Sequence, residues 1–157
     1  MYAIPSPAGD WIESAPDAHT DYVVEENASP AGGAKQLARL LKAWKYYRDV
    51  PVSSFYLEMR AARYMADETY VDLAKDMHRV LNRLQSGGLA SMQDPQGLTG
   101  YIRACSSDSN QADANSRLTQ ALGRARRATE HQSAGRISQA FAEWNTLFNG
   151  NFPAYTP

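Results

Sequence analysis

The 157 residues suffice for one domain with a buried core, and 16 Lys and Arg against 17 Asp and Glu leave a formal net charge of −1. That balance excludes a global field for nucleic acid or an anionic membrane, so any binding must come from local patches. A single cysteine, Cys105, excludes an internal disulfide, and His19, His78 and His131 show no metal-ligand spacing.

The start, MYAIPSPAGDW, has no basic residues leading into an apolar run. No stretch approaches the roughly 20 apolar residues of a membrane span. A reducing cytoplasm and no membrane association are therefore expected.

In chain order, prolines and a glycine between Met1 and Pro16 predict an extended arm over residues 1–16. A short helix should follow, opened by Ser14-Ala15-Pro16 and ended after Glu26 by Asn27-Ala28-Ser29-Pro30. Leu37, Leu40, Leu41 and Trp44 fall at i, i+3, i+4 and i+7, which predicts a helix from about Lys35 to Arg48. Pro51 stops it, and Ser53 or Ser54 can cap the next helix, with Phe55, Met59 and Ala62 on one face.

Leu73, Met77, Val80, Leu81 and Leu84 mark a third stripe, closed at Gly87-Gly88, where a left-handed residue is wanted. Residues 86–110 read as a loop with one helical turn around Tyr101 to Ala104. Leu118, Ala121, Leu122, Ala125 and Ala128 predict a long helix, and Ile137, Phe141, Trp144, Leu147 and Phe148 the last one, ended by Gly150 and Pro153. The expected architecture is a single domain, 1–157, all-α: a bundle of five or six helices over 17–157 behind an extended N-terminal arm.

No catalytic constellation stands out. Cys105 has no obvious activating neighbour, and Asp17 and His19, two apart, point to different faces of a helix. The basic side chains say more. Lys35, Arg39 and Lys42 fall at i, i+4 and i+7, with Lys45 one step on, opposite the Leu37–Leu41–Trp44 stripe. Such a row is a solvated face or a place for phosphate. The Ser53-Ser54 helix start adds unpaired backbone N–H groups, a positive dipole end and a hydroxyl, and Phe55 offers a flat face to a base.

At these residues the sequence resembles a known family. RLLKAWKYYRDVPVSSFYLE is similar to the second, helical half of the oligoadenylate synthetase and cyclic GMP-AMP synthase-like nucleotidyltransferases, above all the bacterial members called CD-NTases. The shared pattern is R-L-x-K-x-W, a break, then Ser, an aromatic residue and a Glu, here Arg39, Leu40, Lys42, Trp44, Ser54, Phe55 and Glu58. DWIESAPDAHTDYVVEEN, Asp94-Pro95, RLTQALGRARRA and AFAEWNTLFNGNFP fit the same family in order, so the resemblance covers almost the whole chain.

The resemblance implies a two-part enzyme whose other half carries a Gly-Ser helix start, an Asp-x-Asp pair and a third acid that hold two Mg²⁺ ions for nucleotidyl transfer. This chain has neither Gly-Ser nor Asp-x-Asp, and the nearest imitation, Asp108-Ser109-Asn110, lies in the predicted polar loop. The chain is therefore expected to be a truncated enzyme, a split product or a fragment, inactive alone, with no cofactor of its own. Its expected partners are a nucleoside triphosphate and the missing catalytic half or a neighbouring chain. By resemblance Lys42 would contact the triphosphate, Ser54 a phosphate or ribose oxygen, and Phe55 the donor base. Lys45 is a further nucleotide-binding candidate supported by helical spacing alone.

The expected function is the nucleotide-binding half of an enzyme making cyclic or linear oligonucleotide second messengers, a role that in bacterial relatives goes with antiphage defence. The alternative is a catalytically silent helical interaction module. A nucleic-acid-binding bundle using Arg117, Arg124, Arg126 and Arg127 is disfavoured by the charge balance and the interspersed acids.

Overall fold

Gly33 opens the part of the chain that the computed structural model describes, residues 33–93 and 100–152. The expected arm and first short helix lie outside these residues, as does Pro153. Helix α1 spans Ala34–Tyr47, α2 Ser54–Ala66 and α3 Leu73–Ser86; a strand pair follows, β1 (Met92–Gln93) and β2 (Tyr101–Ile102), and then α4 (Asp108–Ser133) and α5 (Ile137–Leu147). The mostly helical expectation holds for the described residues.

The helices start and stop for local reasons. Ser53, Asp72 and Ser107 are N-caps whose side chains accept from the N–H groups of Tyr56, Lys75 and Asn110. Four helices close with the same backbone bond, an N–H reaching back five residues: Val50 to Lys45, Leu89 to Leu84, Arg136 to His131 and Gly150 to Asn145. Each has a left-handed residue in the turn, at Asp49, Gly88, Gly135 and Asn149. Gly33 is required for a different reason. A Cβ there would come within 2.5 Å of Val71 Cγ2 and 2.9 Å of Met65 Cε, so a side chain would push α2 and the following loop away from α1.

Packing runs α1 on α2, then α3 on α4 and α4 on α5, with smaller contacts of α3 with α1 and α2. The core holds Leu37, Leu41 and Trp44 from α1, Leu57 and Met59 from α2, Met77 and Leu81 from α3, and Leu118 from α4. All are apolar residues that the 3.6-residue period places on one face of their helices.

Two expectations are corrected. The turn around Tyr101 to Ala104 is not helical: Tyr101 and Ile102 form β2, antiparallel to β1 with Met92 opposite Ile102 and Gln93 opposite Tyr101. Met92 and Ile102 are buried while Gln93 and Tyr101 face solvent, an alternation too short to register as a pattern. The predicted loop also ends early. α4 begins at Asp108, so Asp108-Ser109-Asn110 forms its first turn, capped by Ser107.

Asp76 is a buried carboxylate, 1% exposed. It accepts from the Asp72 N–H at 2.9 Å and from the Tyr64 hydroxyl at 3.0 Å, while Asp72 in turn accepts from Lys75 N–H, a reciprocal cap one residue wider than the usual box. Burial pushes the Asp76 carboxyl above the usual range against these hydrogen bonds, and burial next to Asp76 also raises Tyr64.

His78 on α3 lies 3.3 Å from the Thr129 hydroxyl on α4. Burial, with Arg126 nearby, lowers its pKa below 6.5. The folded state thus holds a neutral imidazole over a range in which the unfolded chain binds a proton. This contribution is present above pH 6.5 and is lost as pH falls toward the lower folded value. His78→Gln should therefore flatten the fall in melting temperature between about pH 7.5 and about pH 5.5, measured by circular dichroism. Parallel curves for the two proteins would refute it.

Candidate functional site

The connection between α1 and α2 positions every candidate residue. α1 is closed by Arg48 as its C-cap, and Ser53 is then fixed by its own N–H, which donates to the Ala104 carbonyl at 2.7 Å. Because Ser53 is the cap, accepting from Tyr56 N–H at 3.2 Å, Ser54 becomes the first residue of α2. The positive end of the α2 dipole therefore lies at Ser54.

Lys42 points from α1 toward α2. Its Nζ is 3.7 Å from Glu58 Oε1, and the two side chains are only 15% and 6% exposed. Glu58 stands one turn after Ser54 on the same face of α2, so the ion pair brings the lysine beside the first turns of that helix. Phe55 is partly buried and packs against the core. Lys45 is partly buried in the last turn of α1, where a cation is favoured by the helix dipole whatever its further role.

The sequence reading missed two features of this region. Glu58 belongs to the family-like pattern, but its pairing with Lys42 joins residues on different helices and leaves no periodic trace. Arg39, one turn before Lys42, has a buried Nε–H with no hydrogen-bond partner among the described residues. A buried guanidinium donor left so is costly.

Around the second turn of α2 the site is held rigidly. The Tyr56 hydroxyl donates to the Ala90 carbonyl at 2.6 Å, and Arg60 donates both to that hydroxyl and to the same carbonyl. Gln111 and Asn115 of α4 donate to the Gly88 carbonyl from the other side. Cys105 is buried, and burial raises its thiol pKa, so it is a core residue with little thiolate character. No group of three or more His, Cys, Asp and Glu among the described residues could hold a metal ion. No helix among them is long and apolar enough to cross a membrane.

The Lys42–Glu58 pair should be energetically coupled. Lys42→Ala leaves a carboxylate in a buried position and should destabilise the fold, and adding Glu58→Gln should recover part of the loss. A double-mutant cycle by urea unfolding is expected to give about 1–2 kcal/mol of coupling. Additive single effects would show that the pair is only a near approach.

No family model matches the sequence. Over 161 aligned residues the chain is 26% identical to a protein of Bacillus cereus (strain VD146) named "Probable cyclic nucleotide synthase". The match covers 98% of this chain and 46% of that relative, so the chain spans less than half of the relative's length.

Proposed function

We propose that this chain is the nucleotide-binding helical half of a CD-NTase-like nucleotidyltransferase that makes cyclic or linear oligonucleotide second messengers, in the setting of antiphage defence. The observation that carries this reading is the likeness, along 98% of the chain, to a relative named as a cyclic nucleotide synthase. The arrangement of α1 and α2 supports it: a lysine reaches across to the helix that Ser54 opens. In this role Lys42 grips the triphosphate, Ser54 and the N–H groups of the first turn of α2 bind a phosphate or ribose oxygen, and Phe55 lies against the base. Arg39 supplies a further donor through its buried Nε–H, and Lys45 adds positive charge.

The Mg²⁺ ions that the family implies do not fit the residues present. The sequence has no Asp-x-Asp, and the described residues contain no cluster of acids able to hold a metal. No chemical step is therefore assigned to this chain. Its partner in the reaction is a catalytic half, in the same or a neighbouring polypeptide. The Lys42–Glu58 pair favours the second reading, a silent helical module, because a lysine already matched to a carboxylate needs no phosphate.

Calorimetric titration with a nucleoside triphosphate separates the two. Weak binding is expected, reduced by Lys42→Ala and by Ser54→Ala roughly tenfold, as for loss of a hydrogen bond to a charged group. Lys75→Ala on α3 should leave it unchanged. No binding, or equal effects of all three variants, would favour the silent module.

A further inference from the structure

A second basic region lies away from Lys42. A cleft between the end of α1, the middle of α4 and the end of α5 is lined by Trp44, Arg48, Arg117, Gln120, Arg124 and Leu147. On α4, Arg117, Gln120 and Arg124 fall at i, i+3 and i+7, so a single strip of that helix faces the cleft. Trp44 and Leu147 give it an apolar floor, which strengthens electrostatic attraction above it.

The guanidinium groups are not equally occupied. Arg48 donates to the Thr146 and Leu147 carbonyls at the end of α5, offsetting the negative end of that helix. Arg117 donates through Nη1 to the Arg48 carbonyl at 2.7 Å and through Nε to Asp113 at 3.1 Å. Among the described residues Arg124 donates no hydrogen bond and has one ion pair, with Glu143 at 4.0 Å, which Arg127 holds more closely at 3.2 Å. The cleft is thus lined by Arg48, Arg117 and Arg124 and by no acid, while Asp113 pairs with Arg117 and Glu143 is shared by Arg124 and Arg127 at its side.

We propose that this cleft is a second anion site that takes a phosphate group of a small phosphorylated ligand. Arg124 is the principal donor, with Arg117 beside it and the Gln120 amide between them. Guanidinium groups suit the task because they meet a phosphate through two parallel N–H donors. The site is independent of the Lys42–Ser54 region, and it stands if the proposed nucleotide role of that region fails.

The test is calorimetric titration of the full chain with inorganic pyrophosphate at low ionic strength, where exposed charges are least screened. Arg124→Gln should weaken binding roughly tenfold, the loss of a charge-assisted contact, and leave the melting temperature near that of the unmodified chain. Glu143→Gln should tighten binding several-fold by releasing Arg124, a gain that a purely structural role would not produce. Lys75→Ala on α3 should leave it unchanged. Absence of pyrophosphate binding, insensitivity to both cleft variants, or an equal loss with Lys75→Ala would overturn the proposal. So would binding of a duplex oligonucleotide that Arg124→Gln weakens and pyrophosphate does not compete for, which would assign the strip to a nucleic-acid backbone.

Discussion

Arg48 is where the fold is tied together. Its N–H closes α1 on the Trp44 carbonyl, its carbonyl accepts Arg117 from α4, and its guanidinium donates to the last carbonyls of α5, nearly a hundred positions along the chain. Asn149 adds a bond from beyond α5 to the Tyr47 carbonyl. One residue thereby fixes where α1 stops relative to two helices formed much later in the sequence. The short segment to Ser53 has little freedom left, since Ser53 itself is held by Ala104. The start of α2 is thus set from outside that helix.

This constraint gives the candidate site its geometry. Lys42 meets Glu58 because α1 and α2 are held at one relative register, and an anion arriving from solvent would compete with Glu58 for the same ammonium. The competition is between an internal carboxylate already desolvated and a ligand that must shed its own water. Arg39 differs in that its Nε–H has no described acceptor to displace. Were an anion to bind there, Lys42 would have to exchange partners, whereas Arg39 would gain one.

The helices were legible where apolar residues recur with a helical period, as at Leu37–Leu41–Trp44 and Leu73–Met77–Val80–Leu81. The start of α4 was not, because from Asp108 to Arg117 its only buried residue is Ala114, and polar residues at a helix start look like a loop. The β1–β2 pair escaped notice because a bridge of two residues per strand depends on pairing across a loop. At the site, the basic row on α1 could be read from spacing, and Ser53 or Ser54 as a cap from residue type. The partner of Lys42 could not, since tertiary packing alone decides which carboxylate faces it. Asp76 was missed for a related reason: an acid in the first turns of a helix reads as solvated, and only the Tyr64 hydroxyl and the packing of α3 make it internal.

Apart from Leu118, helix α4 buries only alanines, Ala114, Ala121, Ala125 and Ala128. With a methyl group as the only side chain at those four positions, neighbouring helices can pack closely against it. Such a seam is closed to evolutionary drift in both directions. A larger residue forces the helices apart, and glycine, the one smaller choice, weakens the helix itself. The exposed face of the same helix carries no comparable restriction, so among diverging descendants the alanines should persist while the surface around Arg126 and Glu130 is rewritten.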